Sequence, residues 1–343
     1  MLVAKTIKCK IFNPTELKYS LLNQEYENMQ KFLVGERNIE LYSANKQQAV
    51  RFYHKIIGKA EREYPISLRK DLIRIKETDH KLAKYWIRIP VKARRGGLWL
   101  PMKPHQPVDF SCKFCESKIL KKGNDFFVYL TIEKEVKIRE KYSSVLAVDV
   151  GERVMATVLL DGKPIFYGRE IRGIRRHYAW LRKRLGERKL LNKIKQIKHK
   201  EQLIVNQKLH EIAKNIVVLA TKTDSAIVLG DLKGIRKSAR GRRMNRIVSN
   251  MPFYKLTNMI EYKANWQGIK VTKINERKTS HICPKCGSEG KRPYQGLFLC
   301  NNCNYQANAD FVGPQNIKKR FEEYISSDGA GVTQLETPKG EVR

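Results

Sequence analysis

The sequence predicts an α/β fold joined to a β-rich module that encloses a small helical one. Three observations lead there. Between Ser144 and Ile274, continuous apolar runs of strand length alternate with apolar residues at helical spacing. Residues 1–14 and 65–142 instead carry short, half-polar runs separated by Gly, Asn and Pro. Between those two stretches, residues 15–64 place Leu22, Tyr26, Met29 and Leu33 one helical turn apart.

Each element can be argued in chain order. Val3, Ile7, Cys9 and Ile11 alternate with Lys8 and Lys10, a half-buried strand ended by Asn13-Pro14. Residues 15–64 then hold two to four helices. Leu72–Ile75 and Tyr85–Ile89 read as strands, Lys92–Gly97 as a basic turn, and Ile119–Ile132 as a hairpin around Lys122-Gly-Asn124. A charged linker, Glu133–Tyr142, leads to the α/β part, residues 143–275. There Ser144–Val150, Met155–Leu160 and Ile165–Tyr167 form an antiparallel meander turned at Asp161-Gly162. A basic helix from Arg169 to about Lys200 continues into a core helix with Leu209, Ile212, Ala213, Ile216, Val217 and Ala220 on one face. Strand Ala226–Leu229 follows, then a helix carrying Phe253, Leu256, Ile260 and Ala264, then strand Ile269–Ile274. Three strands, helix, strand, helix, strand, the last ones parallel, is the order of a ribonuclease H-like fold. Residues 276–305 carry the cysteine pairs, residues 306–325 a closing helix (Phe311–Phe321), and residues 326–343 a polar tail expected to be disordered.

Charge sets the class of partner. Lys plus Arg number 69 against 34 Asp plus Glu, a formal net charge of +35, so a polyanion is the default partner. The hydrophobic fraction of 41% is too high for a disordered basic tail. No apolar run reaches the ~18 residues a membrane span needs, and the start lacks a signal peptide's apolar stretch. Seven cysteines, four of them in two CxxC pairs, argue against a disulfide scaffold and for a reducing cytoplasm.

Cys283-Pro-Lys-Cys286 and Cys300-Asn-Asn-Cys303 stand thirteen residues apart. Each pair makes a knuckle that presents two thiolates, and two knuckles complete a tetrahedral four-sulfur site. The expected metal is a structural zinc, with a rubredoxin-like iron as the alternative. Cys112-Lys-Phe-Cys115 lacks a second pair and reads as structural.

The carboxylates carry the chemistry. Asp149 is the only charge in Val145–Val150, and a buried lone carboxylate costs several kcal/mol unless it is paired or binds a cation. It reads either as an acceptor for turn hydrogen bonds or as a metal ligand. Asp310, in Asn308-Ala-Asp310, precedes a helix and reads as an N-cap or as a second ligand. Two-metal phosphodiester cleavage calls for a third carboxylate. Asp231 and Glu276, each after an apolar strand, are the candidates, because carboxyl ends of strands line the crevice of open α/β sheets.

Val148-Asp-Val-Gly151, Gly230-Asp-Leu-Lys-Gly-Ile-Arg236, Glu276-Arg-Lys-Thr-Ser280, the two CxxC pairs and Asn308-Ala-Asp310 occur in the order seen in TnpB (OrfB-type) proteins. From Ser144 to about Phe321 the chain resembles these insertion-sequence "transposases", relatives of type V CRISPR effectors. The N-terminal half resembles them in outline, including Arg95-Gly-Gly-Leu-Trp-Leu-Pro101. The resemblance implies an RNA-guided DNA endonuclease with a RuvC-like nuclease domain, an inserted zinc ribbon, and an N-terminal wedge β-barrel with a helical insertion. It implies a guide RNA from the transposon end and double-stranded target DNA as partners, in a prokaryotic cytoplasm. It also implies that Asp149, Asp310 and one further acid hold two Mg²⁺ ions ~3.5–4 Å apart.

One departure stands out: where most members carry a Glu before Asp-Leu, this chain has Gly230. Either the acid is relocated to Glu276, or the protein is a nuclease-inactive RNA-guided DNA binder or repressor. Relocation is the favoured reading. A transposase performing strand transfer itself and a purely structural RNA-binding zinc protein are weaker alternatives.

Basic clusters suggest where nucleic acid lies. Arg169 to Lys200 contains thirteen Lys or Arg, with Arg172, Arg175 and Arg176 as candidate phosphate contacts. Arg236, Arg240, Arg242, Arg243 and Arg246 form a second cluster, expected to meet the strand being cut. Lys92, Arg94 and Arg95 are candidates for contact with guide RNA or the target duplex.

Overall fold

The structure is a computed structural model and describes residues 1–231, 241, 251–294 and 296–327. Arg236, Arg240, Arg242, Arg243 and Arg246 lie outside the described residues, as does the tail from residue 328. The chain forms two compact units, Leu2–Glu135 and the residues from Val136 onward joined by Met1.

The first unit is a seven-stranded antiparallel sheet with two helices. Its strands are β1 (Leu2–Ile11), β2 (Ile66–Leu68), β3 (Arg74–Glu77), β4 (Tyr85–Val91), β5 (Arg94–Pro104), β6 (Lys113–Lys122) and β7 (Asp125–Glu135), in the order β2-β6-β7-β1-β5-β4-β3. The ladders run from β2 to β3 with no pairing between these two end strands among the described residues, so hydrogen bonds do not close the sheet into a barrel. Helices α1 (Glu16–Val34) and α2 (Ser43–Tyr53) fill residues 15–64. Thr15 caps α1 by accepting the Lys18 N–H, and Gly35, at φ 103°, ends it in the left-handed region that glycine tolerates.

The basic turn is shorter than the sequence suggests. Val91 pairs with Arg94, so only Lys92-Ala93 turns the chain, and Arg94 and Arg95 belong to β5. Of the two glycines that pointed to a turn, Gly97 serves close approach instead: a Cβ on it would stand 2.7 Å from the Ile89 carbonyl oxygen.

The second unit is built on a five-stranded sheet, β8 (Ser144–Asp149), β9 (Ala156–Leu160), β10 (Lys163–Tyr167), β11 (Ser225–Asp231) and β12 (Val271–Asn275), ordered β10-β9-β8-β11-β12. β8, β9 and β10 are antiparallel neighbours, whereas β8, β11 and β12 run parallel. Carboxyl ends of the three parallel strands therefore share one edge. Helices α3 (Arg169–Glu187), α4 (Leu191–Lys222), α5 (Phe253–Trp266) and α6 (Ala309–Ser327) complete the layer structure. The single basic helix expected from Arg169 is two helices, broken at Arg188–Leu190, where Lys189 adopts φ 55°.

Strand alternation sorts the core onto two faces. Leu146 and Val148 of β8 and Ile227 and Leu229 of β11 pack with Leu209, Ala213 and Ile216 of α4 and Leu256 and Ile260 of α5. Val145, Ala147 and Val228 face the opposite way, against Ile317 and Phe321 of α6. Full burial of each such side chain stabilises the unit by about 1.5–3 kcal/mol. Among the described residues, no helix is long and apolar enough to cross a membrane, and all seven cysteines are free thiols.

Candidate functional site

Asp149 continues the period-two series of Val145 and Ala147, so its side chain lies on the α6 face at the carboxyl end of β8. The same alternation on β11 puts position 230, next in step after Val228, on that face and directs Asp231 to the other. On β12, Ile274 packs with the α6-face cluster, and Glu276 follows two residues later. Three neighbouring strands thus bring Asp149, the Gly230 backbone and Glu276 to one place.

Position 230 is where the geometry is decided. Gly230 pairs with Ile274, and a Cβ built on it would lie within 3.2 Å of both Cβ and Cδ of Glu276 and would overlap Glu276 Oε2. The Glu276 carboxylate therefore occupies the space that a side chain on β11 would fill. Its Oε2 is buried and has no hydrogen-bond partner among the described residues. Burial, then the charges of Asp149 and Asp231, push its carboxyl up to about 8. Glu25 in the first unit shows the contrast: it is buried as a structural acceptor, taking hydrogen bonds from Tyr42 N, Asn45 Nδ2 and Lys92 N at 3.0, 2.7 and 2.8 Å.

Asp149 is held by a second close approach. Gly313 lies inside α6, and a Cβ there would stand 2.8 Å from Asp149 Cγ. Burial raises the Asp149 carboxyl to about 6; Arg292 opposes that shift and Asp310 adds to it. Asp310 is the second residue of α6, but the capping role falls to Asn308, whose Oδ1 accepts the Asp310 N–H at 2.8 Å. That leaves the Asp310 carboxylate to interact with Arg292 and Asp149. Asp149, Asp310 and Glu276 are linked electrostatically through Asp149, with Arg292 as the nearby cation.

The cysteine pairs converge. Sγ atoms of Cys283, Cys286, Cys300 and Cys303 lie within 4.8 Å of one another, with Cys283–Cys303 at 3.6 Å and Cys286–Cys300 at 3.4 Å. Thiolates ~2.3 Å from a tetrahedral ion stand about 3.8 Å apart, so the cluster could hold a zinc. Backbone N–H groups of Asn302 and Cys303 point at Cys300 Sγ, and Gly287 turns the first knuckle at φ 74°. Strands β13 (Gly290–Lys291), β14 (Leu297–Cys300) and β15 (Gln306–Asn308) form a three-stranded sheet that leads directly into α6. Arg292 leaves β13 and donates from Nη2 to the Ala309 carbonyl at 3.1 Å. The cysteine module is thus tied to the carboxylate cluster at both Arg292 and Asp310.

Residues 253–317 match the family Cas12f1-like, TNB domain. The TnpB-like protein MJ0751 of Methanocaldococcus jannaschii is 29% identical over 205 residues, 55% of this chain and 73% of the relative. These matches support a TnpB-type relative of the type V CRISPR effectors. A Micrarchaeota archaeon protein named CRISPR-associated endodeoxyribonuclease Cas12f2 is 31% identical to this chain over 218 residues. That match covers 57% of this chain and 40% of the relative, so the chain spans less than half of Cas12f2. The fold resembles that in the crystal structure of the AacC2c1–sgRNA–extended non-target DNA ternary complex, at a TM-score of 0.51 and 8% identity, over 78% of this chain and 56% of that one.

The basic candidates are spread. Lys92, Arg94, Arg95 and Arg176 are exposed. Arg172 pairs with Glu152 at 3.3 Å, and Arg175 is half-buried toward Glu201 and Arg182. Arg292 was not legible in the sequence, where it is one Arg among many. Gly313 carried a signal, since Gly-Pro inside a helix costs stability without a local reason.

Proposed function

We propose that this chain is an RNA-guided, Mg²⁺-dependent DNA endonuclease of the TnpB type, with its second acid relocated from β11 to Glu276. The observation that carries the reading is the buried Glu276 Oε2, without a hydrogen-bond partner among the described residues, in the space over Gly230 and facing the charge of Asp149. A structural acid would be satisfied, as Glu25 is. This one meets like charge, and its Oε2 meets no donor among the described residues, which is the condition a cation relieves.

The donor set fits a hard divalent cation, since carboxylate oxygens from Asp149, Glu276 and Asp310 suit Mg²⁺ and no thiol or imidazole competes among them. Mg²⁺ held by these carboxylates would supply an activated water and charge stabilisation for the leaving 3′ oxygen. The chain's own groups do the rest. Asp149 lies at the end of a central strand and provides the fixed ligand. Glu276 and Asp310 approach it from β12 and α6. Arg292 places positive charge beside Asp149 and Asp310, where a scissile phosphate would sit. A zinc on the four cysteines would fix the ribbon and, through it, Arg292 and Asp310.

The names of the relatives and the content of the AacC2c1 complex support guide RNA and DNA as partners, and the +35 charge supports a polyanion of either kind. The test is plasmid cleavage in Mg²⁺ by protein co-expressed with its flanking DNA, so that any guide RNA copurifies. Wild type should cleave; Glu276→Gln and Asp149→Ala should bind the target and not cleave. Guided binding by wild type without cleavage would make Gly230 a disabling change and the protein a binder.

A further inference from the structure

Moving an acid from a central strand to the loop after an edge strand creates a mechanical problem. Position 230 lies on β11, which is flanked by β8 on one side and β12 on the other, whereas among the described residues β12 is hydrogen-bonded only to β11. Glu276 lies beyond its last residue, Asn275, so neither ladder fixes it. Something else must hold that loop.

Helix α6 does so from one face. Gly313, Asn316 and Arg320 recur at i, i+3 and i+7, a single stripe of the helix. Gly313 seats Asp149. Arg320 donates from Nη1 to the Asn275 carbonyl at 2.6 Å and from Nη2 to the Arg277 carbonyl at 2.8 Å. Its planar fork thereby spans the two residues that flank Glu276. Further along, buried Asn316 donates from Nδ2 to the carbonyls of Thr279 and Ile282 at 2.6 and 2.7 Å. The loop closes on itself as well: Thr279 donates to the Glu276 carbonyl from Oγ1 at 2.9 Å and from N at 3.1 Å.

We propose that Arg320 is a positioning residue for Glu276, its guanidinium clamping the backbone on both sides so that the carboxylate stays against Gly230 and beside Asp149. The inference rests on the relocated-acid reading and deepens it. Arg320 works through the backbone, because the charges that act on the Glu276 carboxyl are those of Asp149 and Asp231. Two carbonyls two residues apart match a two-pronged donor, which an ammonium cannot reproduce. Asn316 holds the same loop at its far end, so losing Arg320 frees Glu276 without unfolding the segment.

The test compares wild type with Arg320→Gln and Arg320→Lys, taking Lys319→Gln on the exposed side of α6 as the control and Glu276→Gln as the reference for loss of the ligand. Mn²⁺ alone is titrated into each protein and followed by electron paramagnetic resonance, and Mg²⁺ dependence of plasmid cleavage is measured in parallel. Arg320→Gln should weaken Mn²⁺ binding and raise the half-saturating Mg²⁺ concentration about 10- to 100-fold, the usual effect of removing a group that orients a ligand. Arg320→Lys should fall between, and zinc content, melting temperature and guided DNA binding should stay at wild-type values. Wild-type Mn²⁺ affinity in Arg320→Gln, or an equal loss in Lys319→Gln, overturns the proposal. So does a loss that comes with a collapsed melting temperature in both Arg320 variants. Absent cleavage by wild type would sink the endonuclease reading separately, while weakened Mn²⁺ binding in Arg320→Gln would still uphold the clamp.

Discussion

Gly230→Ala adds one methyl group, and that methyl tests the site. The new Cβ would overlap Glu276 Oε2 and stand 3.2 Å from both Glu276 Cβ and Cδ, so the carboxylate has to withdraw by about 1 Å, some of it in the neighbouring backbone. Mg²⁺ tolerates only small departures from its ~2.0–2.1 Å ligand distances. A misplacement of about 1 Å in a reacting assembly costs roughly 10²-fold in rate. Overpacking also destabilises the fold by about 1–3 kcal/mol. The assay is single-turnover plasmid cleavage in saturating Mg²⁺, alongside thermal melting. Gly230→Ala should lose about two orders of magnitude in cleavage while keeping guided DNA binding. The stronger form is the swap: Gly230→Glu and Glu276→Ala each abolish cleavage, and the double variant recovers part of it, because a carboxylate returns to the same space from β11. Additive losses in the double variant, or full activity in Gly230→Ala, would rule out a shared carboxylate position at residues 230 and 276.

Other consequences can be checked directly. Both carboxyls are raised in the folded protein, Glu276 from 4.5 to about 8 and Asp149 from 3.8 to about 6, so between pH ~4.5 and ~8 the folded state holds protons that the unfolded chain has released. Stability of the metal-free protein therefore falls as pH rises through that window, and excess Mg²⁺ restores it at pH 8 but not at pH 5. Melting curves at both pH values check this, and Glu276→Gln should flatten most of the slope; a wild-type-like slope in that variant contradicts it. Gly313→Ala drives a methyl into Asp149, with Cγ 2.8 Å from the new carbon, and should abolish cleavage with a loss of about 1–3 kcal/mol of stability; near-normal kinetics would remove Gly313 from the account. Elemental analysis should find one zinc per chain. Cys300→Ser should lower that content, destabilise the ribbon and suppress cleavage through Arg292 and Asp310, whereas full cleavage by a zinc-free variant would show that the ribbon does not frame the site.

Much of this was legible in the residues. A charge at the third step of an apolar alternation marks Asp149 without any structure, because period two fixes its face. The cysteine spacing is equally direct, since two knuckles have few other uses. Glu276 was readable only in combination with Gly230: neither residue is unusual alone, and their meeting depends on the parallel register of β11 and β12. Arg292 and Arg320 could not be found this way, because in a chain with 69 Lys and Arg a single guanidinium carries no signal until its partners are known. The turn at Lys92 was drawn too long and the break at Lys189 was missed for local reasons: a glycine can serve close packing as well as turning, and a polar helical pattern runs unaltered through a tight reversal.

Diffraction from crystals of the protein soaked in Mn²⁺, with anomalous data, is the most direct test of the central claim that Glu276 is the missing acid. The account predicts anomalous density among Asp149, Asp310 and Glu276, with a Glu276 oxygen as a ligand, and loss of that density in Glu276→Gln. Density coordinated by Asp149 and Asp310 while Glu276 remains turned away, or unchanged density in Glu276→Gln, would contradict it.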